Sequence, residues 1–180
     1  MGKEGERELF VGVDESNHGR YPEIYVAVFS TIHTDAVIYP SVRFHKNRRY
    51  HTTIKDELEK RDYSFLVFNK EDKDFARDDR FLGVVVASLI IGQQPIVQSS
   101  AVKFYIDGKI SARKYNPIEE IIRRATGIGI IEINCGKDYD RRVQIVNLAD
   151  ETAHLLYKKT LEKIASHPKK KVLRRDLLDI

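Results

Sequence analysis

Residues 8–19 read ELFVGVDESNHG, an apolar run that ends abruptly in two adjacent carboxylates, Asp14 and Glu15. Phe10, Val11 and Val13 favour a strand and Gly12 permits close packing, whereas Ser16, Asn17 and Gly19 form turns and stop it. A strand that is apolar on both faces belongs in the middle of a covered sheet, and open α/β sheets take their ligands beyond the carboxyl ends of such strands. Asp14 and Glu15 are therefore candidate site residues at a central strand end.

Working outward, residues 23–31 (EIYVAVFST) supply a second strand, joined to the first through a turn containing Gly and Pro, which reads as an antiparallel hairpin. Residues 36–39 and residues 63–68 (YSFLVF) both qualify as the third strand, with a short helix over 54–61 between them. Within residues 75–93 the polar start gives way to FLGVVVASLIIG, which fits a helix buried on most of its surface. Residues 101–106 (AVKFYI) form the next strand and end in Asp107 followed by Gly108, a second acidic strand end. Residues 117–124 fit a helix with Pro117 in its first turn, Glu119 and Glu120 near its positive end and Arg123 and Arg124 near its negative end. Residues 128–133 give a last strand.

From Arg141 to about Ile164 a long helix is expected, with Ile145, Leu148, Ala149, Leu155 and Leu156 on one arc. Asn147, Asp150 and His154 form the neighbouring stripe, so Asp150 points toward the edge of the packed interface.

At 180 residues the chain suits a single domain over residues 1–180, with a basic tail from about residue 166 (SHPKKKVLRRDLLDI) as a solvated end or a further nucleic-acid contact. The 31 Lys and Arg against 27 Asp and Glu leave a net charge of +4. The isoelectric point of about 9.0 suits polyanionic partners. One cysteine excludes an internal disulfide and points to a reducing compartment, and Cys135 reads as a packed residue. The longest apolar run, residues 81–92, falls short of the roughly 20 residues of a bilayer span. The first residues lack a signal core and a myristoylation motif, so a cytoplasmic protein without membrane contact is expected. Residues 41–53 (SVRFHKNRRYHTT) mix Arg43, Lys46, Arg48 and Arg49 with Phe44 and Tyr50. Together with Arg20 these cations are nucleic-acid-binding candidates, although a solvated loop has the same composition.

Asp14, Glu15, Asp107 and Asp150 thus come from three separate elements. Clustered carboxylates repel one another, and a hard divalent cation draws them together; the alternative is that each pairs with Lys or Arg or lies on the surface.

The order and spacing of Asp14, Asp107 and Asp150 resemble the ribonuclease H-like superfamily, in which the central first strand, the adjacent fourth strand and the last helix each carry an acid. GVDES resembles the Asp-Glu opening of type 2 ribonucleases H. It is closer still to an uncharacterised ribonuclease H-like group that opens with Asp-Glu-Ser and carries Gln-x-Ala-Asp late, where this chain has Asn147-Leu148-Ala149-Asp150. YIDGKIS resembles the Asp-Gly strand end of the PIWI slicer domain of argonautes. After Asp14-Glu15 the chain departs from type 2 enzymes, with Ser-Asn-His-Gly-Arg where they have Ala-Gly-Arg-Gly.

The resemblance implies an α/β, ribonuclease H-like fold: a mixed five-stranded sheet of order 3-2-1-4-5 flanked by helices. It also implies a divalent-metal-dependent nuclease that hydrolyses DNA or RNA by a two-metal mechanism with Mg²⁺ or Mn²⁺. In that scheme Asp14 bridges both ions, Asp107 and Asp150 each hold one, Glu15 binds directly or through water, and His154 is a candidate for proton transfer. The ligands are hard oxygens, and no Cys/His grouping has zinc spacing. The alternatives are a non-catalytic nucleic-acid-binding module and a protein-interaction scaffold on the same fold.

Overall fold

A computed structural model describes residues 8–16, 20–44, 51–159 and 161–179. Its sheet contains β1 (Glu8–Ser16), β2 (Glu23–Ser30), β3 (Asp62–Phe68), β4 (Ala101–Asp107), β5 (Ile130–Gly136) and the short β6 (Lys170–Lys171), in the order β5-β4-β1-β2-β3-β6. β1, β2 and β3 form an antiparallel meander, while β4 and β5 add to β1 in parallel. The order 3-2-1-4-5 is therefore present. The strand count is six instead of five, because β6 pairs in parallel outside β3.

β1 is central because the sheet is covered on both faces. Leu9, Val11 and Val13 pack with α2 (Phe81–Ile90) and α4 (Ala112–Thr126). Phe10 faces the other way, toward α5 (Tyr139–Arg142) and α6 (Gln144–Tyr157). Each such buried side chain contributes about 1.5–3 kcal/mol by leaving water. α2 is buried from Gly83 to Ile90, as its all-round apolar sequence requires. The remaining helices are α1 (His51–Glu59), α3 (Gln94–Val97) and α7 (Leu161–Ala165). No helix among the described residues is long and apolar enough to cross a membrane.

One open choice is settled and three local expectations are corrected. The third strand is β3, whereas His33–Ala36 is a 3-10 turn. That turn is tied down by Asp35, which takes a bidentate hydrogen bond from Arg61 at 2.6 and 2.8 Å and another from the Ser30 hydroxyl at 2.6 Å. Pro117 lies inside α4, which starts five residues earlier, at Ala112; there Arg113 and Lys114 pair with Asp79. The long C-terminal helix is divided into α5, α6 and α7; α5 and α6 part at Val143, which is extended (φ −128°, ψ 120°) with its side chain drawn fully into the core. The basic tail is not a free end: β6 joins the sheet, Lys169 pairs with Asp62, Arg175 with Asp72, and Leu177 is buried against Val84 and Ile121. Cys135 is half-buried, with its Sγ 2.6 Å from the Tyr115 hydroxyl.

Candidate functional site

Strand alternation puts Asp14 on the α6 face, two residues beyond Gly12. Gly12 is where α6 lies on the sheet: a methyl group there would stand 2.5 Å from the Ile145 carbonyl carbon and 2.9 Å from the Val146 nitrogen. This close approach brings the helix that carries Asp150 down onto the strand that carries Asp14. The parallel register pairs Val13 with Ile106, which sets Asp14 and Asp107 abreast at adjoining strand ends.

Asp14 is only 4 % exposed. Its carboxylate accepts a hydrogen bond from the Glu15 amide at 2.8 Å, and among the described residues no lysine or arginine pairs with it. Burial pushes its pKa well above the ordinary carboxylate range, and the charges of Glu15, Asp150 and Asp107 push it further; the Glu15 amide opposes them. The acids expected from the sequence are thus close enough to act on one buried carboxylate.

Asp107 is half-buried and is held from the other side by α5. The Asp140 amide donates to its Oδ1 at 3.3 Å, and the Asn147 side chain donates to the Asp140 carbonyl at 2.9 Å. Burial raises the Asp107 pKa, as does the nearby Asp140 carboxylate, while backbone amides of Asp140, Tyr139 and Gly108 counteract them. Asp140 is itself buried and was not anticipated, because residues 134–140 fall between the last strand and the long helix expected from the sequence. A usable signal was Gly136 three residues before an aromatic: without a Cβ at Gly136 the Tyr139 ring can lie against the strand end.

The other candidates are placed as follows. Glu15 is half-buried on the opposite face, where it stands across the register from Tyr25. There burial, Glu23 and then Glu15 keep the Tyr25 hydroxyl protonated far beyond its ordinary range. His154 is half-buried one helical turn beyond Asp150. Arg20 and Arg43 are exposed. Lys46, Arg48 and Arg49 lie outside the described residues.

The donor set suits a hard divalent cation: carboxylate oxygens around a buried acid with no basic partner among the described residues. Among the described residues no three such side chains already converge as ligands do. Mutual repulsion of like charges keeps carboxylates apart until a cation neutralises them.

No protein-family model matches the sequence, and no curated protein does. Solved structures do match. Ribonuclease HII from Archaeoglobus fulgidus, in a complex with PCNA, aligns at 15 % identity and a TM-score of 0.57, covering 95 % of this chain and 87 % of that one. Ribonuclease H2 from Pyrococcus horikoshii OT3 aligns at 14 % identity and a TM-score of 0.56, covering 87 % and 75 %. With the strand order, the two acidic strand ends and the helix lying on Gly12, this likeness establishes that the chain has the ribonuclease H-like fold.

Proposed function

We propose that the protein is a divalent-metal-dependent nuclease whose site is formed by Asp14, Asp107 and Asp150, with Asp140 beside them and Glu15 at the same strand end on the opposite face of the sheet. The observation that carries this reading is Asp14 itself, a carboxylate 4 % exposed, near three other acids and without a basic partner among the described residues. A purely structural acid so deeply buried would be expected to have a cationic partner, as Asp35 has Arg61. Asp14 and Asp107, abreast on β1 and β4, and Asp150, on the helix above, would hold Mg²⁺ or Mn²⁺. When bound, such ions orient an attacking water and stabilise the leaving oxygen of a phosphodiester.

The chain's own contribution is positioning. The Glu15 amide fixes one Asp14 oxygen, the Asp140 amide fixes one Asp107 oxygen, and Gly12 sets how near Asp150 comes. The structural neighbours are ribonucleases by name, which supports a nucleic-acid phosphodiester as substrate. A basic chain agrees with a polyanion. The test is a panel of labelled RNA, DNA and hybrid substrates with Mg²⁺, Mn²⁺ or EDTA. Cleavage of at least one substrate that needs the metal and disappears in Asp14→Asn is expected. Cleavage by none of them would leave the non-catalytic binding module as the better reading.

A further inference from the structure

Residues 37–44 run along α5, on the flank of the acid cluster. The Tyr39 amide donates to the Arg142 carbonyl at 3.0 Å, the Arg43 and Phe44 amides to the Arg141 carbonyl at 2.9 Å each, and the Arg142 Nε to the Tyr39 carbonyl at 2.7 Å. The same short helix supplies the amide that holds Asp107. On this strip the Arg43 guanidinium lies 4.5 Å above the Tyr39 ring, and the Phe44 ring stands edge-on to Tyr39 at 5.8 Å. Arg43 and Val42 are exposed, and both rings are half-exposed.

Its arginines set this strip apart. Arg61, Arg80, Arg123 and Arg174 are each in a carboxylate pair, whereas Arg43 and Arg142 have none among the described residues. Two cations without a carboxylate partner among the described residues, beside an acidic site, suit a phosphate backbone entering that site. A ring and a guanidinium plane suit base faces, and base faces are free only when bases are unpaired.

Taking the acid cluster as a nucleic-acid hydrolase site, we propose that Tyr39, Arg43 and Phe44 form a stacking platform, with Arg142 beneath it, that feeds single-stranded nucleic acid to that site. The tie between Asp35 and Arg61 anchors the strip at its upstream end, so little order has to be gained on binding.

The test is fluorescence anisotropy in EDTA with labelled single-stranded RNA, single-stranded DNA and a duplex of the same sequence. At least one single strand should bind on the order of tenfold more tightly than the duplex. Tyr39→Ala should weaken that binding on the order of tenfold, Tyr39→Phe should retain it, and Arg43→Ala should flatten the salt dependence by about 0.7 in the log–log slope. Equal or tighter duplex binding, or wild-type affinity in a Tyr39→Ala protein with a native circular dichroism spectrum, would overturn the platform. Preferential single-strand binding without any metal-dependent cleavage keeps the platform and removes the hydrolase. Cleavage together with wild-type binding by Tyr39→Ala does the reverse.

Discussion

Replacing Gly12 with alanine tests whether α6 must lie directly on β1 for the acids to meet. The new methyl would stand 2.5 Å from the Ile145 carbonyl carbon and 2.9 Å from the Val146 nitrogen, both main-chain atoms that cannot rotate aside. Carbon atoms pack at about 3.5–4.0 Å, so α6 has to lift by about 1 Å. Overpacking of this kind costs about 1–3 kcal/mol, which in a protein of this length lowers Tm by roughly 2–12 °C. The same lift draws Asp150 away from Asp14, and a misplacement of about 1 Å costs on the order of a hundredfold in rate. Thermal melts in EDTA and metal-dependent cleavage by the same preparation are the assays. Wild-type Tm together with wild-type cleavage would refute the packing and the site built on it. A lowered Tm with wild-type cleavage would refute only the role given to Asp150.

Asp14→Asn should abolish metal-dependent cleavage, because asparagine keeps the size but lacks the negative charge with which Asp14 would hold a divalent cation. In EDTA at neutral pH the same variant should melt above wild type, since it removes an ionisable group whose charged form is disfavoured by burial and by the charges of its neighbours. The pH dependence has a definite sign. The folded-state pKa of Asp14 is raised, so between the ordinary carboxylate value and that raised value the native state holds the extra proton. Stability in EDTA should therefore fall as pH rises through this window, by up to about 1.4 kcal/mol per pH unit for this group, and Asp14→Asn should lack its share of the fall. Arg61→Ala strands Asp35, whose side chain is 1 % exposed, and should cost about 3–5 kcal/mol in urea unfolding; Asp35→Leu with Arg61→Met should recover most of that loss. Leu177→Ala should cost about 2–5 kcal/mol if the C-terminal segment belongs to the core, and almost nothing if it is a solvated end.

The two acidic strand ends were legible because each follows an apolar run that can only be a covered strand, and a turn residue marks where it stops. Their adjacency was not legible from the pattern alone. Alternation sets which face a residue takes, whereas the Val13 to Ile106 register depends on a crossover through α2 and α3. Alternation does separate Asp14 from Glu15, although their shared position at the strand end suggested a joint role. The break at Val143 escaped because helical periodicity continues across it, while the core takes that side chain in an extended conformation. Asp140 escaped with it, since an acid in a polar loop gives no hint that its amide will hold another carboxylate. The Asp35–Arg61 tie joins residues 26 positions apart and carries no local signal. β6 is two residues of lysine, a composition that reads as solvent-exposed until β3 offers an open edge to pair with.

The measurement that bears most directly on the site is anomalous diffraction from crystals of the protein soaked in Mn²⁺. Density should appear between Asp14 and Asp107, at coordination distances of about 2.0–2.3 Å from their carboxylate oxygens and with Asp150 turned toward it. No density at these acids at saturating Mn²⁺, or density only at sites elsewhere, would contradict the assignment.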